Sequence, residues 1–361
     1  MKKLSALVLA LILALLPILA LAQDASPSEE GDGWTDESAD SWTDESADSW
    51  TDETPDARAT AQSALPLAAL IARSFILGAQ PFDGAPDDMT AWALSYAALE
   101  QGAVAAPETG ITLDVLKAAY AAIFSQGELP EMPEDFTLLA PEGDLYQPTS
   151  DPGDAGYAPY LLDASGSDGI MDAEYAVMAT SPDAPEDLTA LVAVTLTPDE
   201  SSPFGATASS VIPITGAPAM TQAEATANLK EYKGITYAAK NVLDGDLTTC
   251  WSYPKEDAGA VITLKADEPQ AARGIRLTPA YAKSKKIALA NNRVKSFRVV
   301  LSDGASFDFE VSPDLPGDLY DQYASFAFDG VHEITWASVE VTEVYPGGQY
   351  TDTCISEIAL F

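Results

Sequence analysis

The sequence predicts a mixed chain, a small α+β domain followed by an all-β sandwich. Three observations predict it. The first is charge: the 361 residues include 56 Asp+Glu and 18 Lys+Arg, a net charge of −38. The excess is uneven, since residues 23–229 hold 37 acidic and 3 basic residues while residues 230–361 hold 19 and 13. Such a break marks at least two folding units, with a boundary near 210–230. The second is a change of hydrophobic period, from helical spacing before about residue 125 to extended runs after 157. The third is a series of short apolar runs from about Ala225 onward, with turn residues between them, as in a sandwich.

Composition also excludes function classes. A surface this acidic repels a phosphate backbone, which excludes a nucleic-acid partner. The single histidine, His332, leaves no basis for His-dependent triads or multi-His metal sites. Two cysteines, Cys250 and Cys354, are too few for a zinc finger but allow one disulfide.

The first segment reads as an address. Met1-Lys2-Lys3 is a short positive region, residues 4–21 are almost wholly apolar, and Ala20-Leu21-Ala22 is a small-x-small cleavage site. This is the pattern of a secretory signal peptide over residues 1–22. A retained membrane anchor is the alternative; Pro17 and the Ala-x-Ala favour cleavage. With no Cys close behind the apolar region, a lipoprotein anchor is excluded, and no second apolar stretch is long enough to span. Export through the membrane, a secreted location and an oxidising compartment are the expectations.

Residues 23–59 repeat without a core. Asp32-Gly33-Trp34-Thr35-Asp36-Glu37-Ser38-Ala39 recurs with a period of eight, placing Trp42 and Trp50 in the next copies. One apolar residue per acidic repeat cannot offset ordering entropy, so a disordered, extended spacer is expected. The Trp array could also be a motif read by a partner.

Residues 60–218 read as the α+β domain. Helices are expected over 61–80, over 90–101 with Asp88 or Thr90 as cap, and over 112–125 with Thr112 as N-cap. Strands follow at 157–162, 173–180, 188–197 and 209–215. Helices first and strands afterwards argue for α+β rather than a parallel α/β sheet. Asp163, Ser165, Ser167 and Glu174 have the spacing of calcium-loop positions 1, 3, 5 and 12. The glycine falls one place late, however, and Ser167-Asp168-Gly169 between two strands is an ordinary hairpin turn. No pair of carboxylates stands out for catalysis.

Residues 219–361 read as the sandwich, with strands expected at 261–265, 274–278, 296–302, 306–311, 323–328, 334–343 and 355–361. Asp303-Gly304 marks a hairpin. Trp251 and Trp336 are expected in the core, and His332, after Asp329-Gly330, in an exposed turn. Asp244, Asp246 and Thr249 can line one tight loop with oxygen atoms. Glu357 meets that loop if first and last strands pair. Such oxygens suit a hard cation such as Ca²⁺. The alternative is a plain turn in which Asp246 caps backbone N–H groups.

The residues of this region resemble a known family. Asn241-Val242-Leu243-Asp244-Gly245-Asp246-Leu247-Thr248-Thr249-Cys250-Trp251 resembles the opening motif of discoidin-type (coagulation factor type C) domains. Gly259–Leu264 resembles the following strand, and Ile355-Ser356-Glu357-Ile358 with Phe361 the closing one. Within that superfamily the chain is most similar to the glycan-binding translocation domain of secreted bacterial NAD-glycohydrolase toxins. The features are Tyr281-Ala282-Lys283-Ser284, Asn291-Asn292-Arg293-Val294-Lys295, and Val344-Tyr345-Pro346-Gly347-Gly348-Gln349-Tyr350-Thr351-Asp352-Thr353. One departure is Pro279-Ala280, where the branch usually has Asn-Gly.

The resemblance implies a discoidin-like (galactose-binding-like) jelly-roll sandwich and a structural calcium ion at Asn241, Asp244, Asp246, Thr249 and Glu357. It implies carbohydrate as the partner and no reaction of its own; toxin catalysis is not carried over. If loop and C-terminal strand are neighbours, Cys250 and Cys354 are too, and export favours a disulfide over two buried thiols. A sugar site combines an aromatic ring with planar hydrogen-bonding groups. Tyr281, Asn292, Arg293 and Tyr350 fall in loops with that chemistry and are the candidate glycan contacts. Arg293 could instead pair with Asp352, and Tyr281 could be a core edge. The function expected is non-catalytic docking to surface or matrix glycans. The alternatives are a secreted enzyme with its catalytic unit in 60–218, or a module that binds a protein partner.

Overall fold

The computed structural model describes residues 57–361 apart from 109, 150–155, 168, 256–258 and 315–318. The signal segment expected at 1–22 and the repeats through residue 56 lie outside the described residues. The last three positions assigned to the spacer, 57–59, are helical and belong to α1 (Ala57–Ser63).

Helix α2 (Leu65–Ile76) follows after a bend of 54°. Pro66 sits in its first turn, where a missing N–H leaves no bond unmade. Strand β1 (Phe82–Asp83) leads to α3 (Asp88–Glu100). Its N-cap is Asp87, whose carboxylate accepts from Thr90 N at 2.7 Å, rather than Asp88 or Thr90. Strand β2 (Ile111–Thr112) runs into α4 (Leu113–Ile123), capped by Thr112. Strands β3 (Leu139–Glu142) and β4 (Leu145–Pro148) join β2 in a small sheet ordered β2-β4-β3.

Four longer strands follow: β5 (Gly156–Ser167), β6 (Ile170–Ser181), β7 (Ala184–Pro198) and β8 (Ala206–Pro213). They form an antiparallel sheet ordered β1-β8-β7-β6-β5. The two-residue period of β6 divides its faces. Tyr175 and Val177 pack with the helices around Leu67, Trp92 and Leu116, whereas Ala176 and Met178 face the other way. The β5–β6 hairpin pairs Asp163 with Glu174 and turns at Gly169 (φ +77°), so the calcium-loop spacing is a hairpin. Glu174 is an ion-pair partner of Arg273 at 2.7 Å.

The sandwich comprises β9 (Gln222–Ala225), a 3-10 turn at Ala239–Leu243, β10 (Trp251–Tyr253), β11 (Val261–Leu277), α5 (Lys285–Ala290), β12 (Arg293–Leu301), β13 (Ser306–Glu310), β14 (Ala324–Tyr345), β15 (Thr353–Ile355) and β16 (Ile358–Leu360). The large sheet runs β13-β12-β14-β11-β16, with β9 also on β11; the small sheet is β10-β15. Trp251, Phe297, Ile262 and Leu277 lie in the core between them.

Four expectations are corrected here. The runs at 261–265 and 274–278 are one strand, β11, and those at 323–328 and 334–343 are one strand, β14. Register shifts between Lys265 and Gln270, and between Ala272 and Gly274, absorb Pro269 and the polar residues that read as a break. Residues 285–290 form a short helix, capped by Ser284, that short-range pattern did not show. Trp336 is 36% exposed, because the inward positions of β14 are Ala337 and Val339 and Trp336 lies opposite Lys265 on the outer face. His332 is not a free turn residue. Its ring nitrogens lie 2.7 Å from Asp303 and 3.0 Å from Asp329, with Phe307 and Phe328 edge-on to the ring.

The outer face of the five-stranded sheet meets the sandwich. Leu162, Ala176 and Met178 pack around the terminal Phe361, flanked by Leu188, Leu191 and Ala327. Ser325 donates to Asp187 at 2.9 Å beside this contact. Gly274 is required under the Phe361 ring, since a Cβ there would fall 2.1 Å from it.

Candidate functional site

The 3-10 turn delivers the chain into Asp244-Gly245-Asp246, with Gly245 at φ +71°. A left-handed glycine lets the loop fold back, and Asp244 Oδ1 accepts from Asp246 N at 2.9 Å. The Thr249 hydroxyl then gathers oxygens. It lies 2.9 and 3.2 Å from the two Asp244 carboxylate oxygens, 3.1 Å from the Asp246 carbonyl and 3.4 Å from the Asn241 carbonyl.

Glu357 arrives from the opposite end of the sequence. Strand β10 pairs with β15 in the register Trp251–Ile355, Ser252–Cys354 and Tyr253–Thr353, which places Glu357 under the loop. Its carboxyl group is buried, lies within hydrogen-bond reach of Asp244, and leaves Oε1 without a partner. Burial, then the Asp244 charge and hydrogen bond, push it up from 4.5 to about 7, against N–H groups of Gly245 and Asp246 that stabilise the anion. Two carboxyl groups, a hydroxyl and two carbonyls therefore converge, with one buried oxygen unsatisfied. This donor set fits a hard divalent cation.

Two expected ligands take part differently from their sequence reading. The Asn241 amide donates to the Thr236 and Cys250 carbonyls at 3.0 and 2.9 Å, and the Asp246 carboxylate caps Thr248 N at 2.9 Å. Both residues face the loop centre through main-chain carbonyls, not side chains. Among the described residues no group of three or more His, Cys, Asp or Glu side chains converges. The other donors are hydroxyl and carbonyl oxygens.

Cys250 and Cys354 are free thiols, not the expected disulfide. They share a small buried cluster with Tyr281, flanked by Tyr237 and Ile287. The β10–β15 register sets Cys354 opposite Ser252, to which its thiol donates at 3.3 Å, and Cys250 falls just outside the ladder. Burial, then the neighbouring Cys354 thiol, push the Cys250 thiol well above its ordinary value.

Three of the four candidate glycan contacts serve the fold instead. Tyr281 is 6% exposed and packs edge-on against Tyr237, the core-edge alternative. Asn292 is spent inside the protein: its amide donates to the Thr351 carbonyl at 2.8 Å and accepts from Gly347 N at 2.9 Å, holding the 346–352 loop. Arg293 is buried in a bidentate pair with Asp314, not Asp352, at 2.8 and 2.6 Å. Of the four, Tyr350 alone is open, at 48% exposure.

The structure adds residues the sequence reading missed. Tyr232 is 60% exposed on a turn closed by reciprocal Tyr232–Ile235 backbone bonds of 3.1 and 3.0 Å. The 346–352 loop is bonded to α5 through Gly348 N to Leu289 O and Tyr350 N to Ala290 O. Tyr237 lies between the two loops, its hydroxyl raised by burial and then by nearby groups that include Asp352 and Tyr232. The only sequence signal was Lys233-Gly234 between apolar residues, a weak form of a two-residue turn. A shallow cleft of about 320 Å³ opens beside the 346–352 loop, lined by Tyr253, Lys255, Asn292, Glu343, Gly347 and Thr351.

A sandwich whose small sheet pairs β10 with β15 beside an oxygen-lined loop has the architecture of a discoidin-like domain. Residues 215–361 match the family model of the NAD glycohydrolase translocation F5/8 type C domain. Among solved structures, the chain is similar to the family 32 carbohydrate-binding module of AlyQ in complex with 4,5-unsaturated mannuronic acid. Identity is 15%, the TM-score 0.31, and the match covers 41% of this chain and 98% of that one. It is also similar to the family 32 module of C. perfringens NanJ in complex with galactose, at 14% identity and TM-score 0.29, covering 38% and 91%. A third is a Clostridium perfringens family 32 module in complex with GalNAc-β-1,3-galactose, at 17% and 0.29, covering 39% and 94%. The chain has no match among curated proteins.

Proposed function

We propose that this protein is an exported, non-catalytic carbohydrate-binding protein that docks to cell-surface or matrix glycans through its C-terminal discoidin-like domain. The observation that carries the reading is the pair of exposed rings, Tyr232 and Tyr350, on loops at one end of that domain. An isolated aromatic ring at a loop tip suits the apolar face of a sugar, whereas a protein partner calls for a broad apolar patch. The match of residues 215–361 to the translocation F5/8 type C family supports the same reading. The signal-peptide pattern at residues 1–22 supports export. A calcium ion held by Asp244, Thr249, Glu357 and the carbonyls of Asn241 and Asp246 would brace the loop beneath this end. Its role would be structural, since Glu357 is buried.

The test is a glycan array probed with the full chain, in calcium and in chelator, alongside Tyr232→Ala and Tyr350→Ala. Selective binding that weakens about tenfold in either variant, with melting unchanged, is the expected result. A folded protein that binds no glycan would overturn the reading and turn attention to a protein partner.

A further inference from the structure

Basic residues are scarce in this chain and their placement is not random. Residues 269–302 hold eight basic side chains and no acidic one, in a protein of net charge −38. Four of the eight are in ion pairs: Arg273 with Glu174, Arg293 with Asp314, Lys295 with Glu343 and Arg298 with Asp308. A fifth, Arg276, lies over the Tyr323 ring at 4.7 Å. Lys283 and Lys286 are different. Both are exposed, and neither makes a salt bridge among the described residues.

A third such lysine reaches the same end from another loop. Lys233 and Gly234 form the tip of the Tyr232–Ile235 turn with φ of +52° and +80°. Lys233 is the one non-glycine residue with positive φ among the described residues. Asn or Asp is the usual occupant of such a position, and a lysine there is sterically disfavoured. The Lys233 ammonium stands on this exposed loop, 5.1 Å from the centroid of the Tyr232 ring. Tyr237 against Tyr281, at 6.4 Å, joins this loop to the segment carrying Lys283 and, in the first turn of α5, Lys286. The backbone bonds from α5 to Tyr350 complete the group.

We infer that this end of the domain takes acidic carbohydrate, chains bearing uronate or sulfate groups. Tyr232 and Tyr350 lie against sugar faces, and Lys233, Lys283 and Lys286 meet the anionic substituents. The inference rests on the glycan-binding reading and names its ligand class. A neutral sugar requires no lysine. A polyanion approaching a protein of this net charge is repelled by most of its surface and least where cations outside salt bridges lie within about a Debye length, ~8 Å, of its charges. Charge of the chain as a whole and the lysines at one end thus together select both the ligand and its point of contact.

The experiment measures binding of the full chain to matched polysaccharides that differ only in charge. Suitable pairs are polygalacturonate with its methyl ester, and chondroitin sulfate with its desulfated, carboxyl-esterified form. The expected result is binding to at least one acidic member, roughly tenfold or more weaker for its neutral counterpart, and weakened by raising NaCl from about 50 to about 500 mM. Lys233→Gln combined with Lys283→Gln and Lys286→Gln should weaken it by roughly tenfold with an unchanged melting curve. If the triple variant melts early, Lys283→Gln and Lys286→Gln are read singly. Equal binding to acidic and neutral members, or binding unmoved by the lysine variants, overturns the inference and leaves the glycan reading standing. No binding to any glycan on this panel or the array overturns both.

Discussion

Replacing Glu357 with glutamine tests the oxygen-lined loop in two opposite directions. The folded protein holds this carboxyl group at about 7, against an ordinary value of 4.5. At about 1.4 kcal/mol per pH unit, that interval corresponds to about 3 kcal/mol. Because the folded-state value is the higher one, the favourable contribution is complete below 4.5 and is lost as pH rises through about 7. Metal-free wild-type protein should therefore lose up to about 3 kcal/mol across that window, from the burial of Glu357 first and its contact with Asp244 second. A glutamine in its place stays neutral, and its amide can donate to Asp244 as the protonated acid does. In chelator at pH 8, Glu357→Gln should be the more stable protein by a few degrees in Tm. In calcium the order should reverse, since cation binding requires the carboxylate and should weaken about tenfold per pH unit below 7. The assay is a set of thermal melts from pH 4.5 to 8, in chelator and in calcium. A variant that is less stable than wild type in chelator at pH 8 would refute the view of Glu357 as an uncompensated buried acid. An equal calcium response in both proteins would refute its role as a ligand.

Three further outcomes are expected. Arg293→Met should cost about 2 kcal/mol in urea melts, because it strands the half-exposed Asp314, and Arg293→Lys should recover little, since the bidentate fork is lost; a neutral Arg293→Met would contradict the pairing. The Cys250 and Cys354 thiols, both buried and with Cys250 pushed well above its ordinary value, should resist alkylation in the folded protein and react once it is unfolded. Rapid labelling of either thiol in the folded protein would contradict the buried cluster they share with Tyr281. For His332, burial works against the charged ring, but hydrogen bonds to Asp303 and Asp329 outweigh it and raise its value above 6.5. Its contribution is complete below 6.5 and is lost as pH rises through the raised value. His332→Gln should flatten that slope in melts, and an unchanged slope would count against the Asp–His–Asp arrangement.

What could be read in advance follows from the range of the signal. The order of helices then strands, the Thr112 cap and the Asp303-Gly304 hairpin are all set by neighbours a few residues apart, and the sequence carries them directly. The oxygen-lined loop was legible because Asp244, Asp246 and Thr249 lie within six residues and the motif that holds them has a recognisable spacing. Glu357, more than 100 residues away, could be joined to it only on the condition that distant strands pair, which the family resemblance implied. Side-chain roles that depend on distant partners were not legible. Nothing near Arg293 in sequence announces Asp314, because the partner is chosen by how the chain returns past β12. The same holds for Asn292, whose amide is used up by a loop some 55 residues away. Residue type and loop position were right for a sugar contact, yet the fold had already consumed both hydrogen-bonding groups. Tyr232 was missed for the converse reason: a lysine in a left-handed turn is a weak local signal, and nothing in the neighbouring residues announces that the ring is left exposed.

The three-residue ladder of β10 and β15 bears more on function than its size suggests. Immediately before β10 stand Thr249 and Cys250; within and just after β15 stand Cys354, Ser356 and Glu357. The Ser356 hydroxyl donates to the Thr249 carbonyl at 2.8 Å and accepts from Ala282 N at 2.9 Å, so one buried side chain ties the oxygen-lined loop to the loop that carries Tyr281 and Lys283. The exposed end is thus anchored to the oxygen-lined loop through this ladder and the serine beside it. A cation at Asp244 and Glu357, or a bond between the cysteines, would act at its Trp251–Ile355 end and tighten the same joint. Neither would touch a sugar. Both would act by lowering the number of arrangements open to the loops that do, which is how a shallow site gains affinity without gaining contacts.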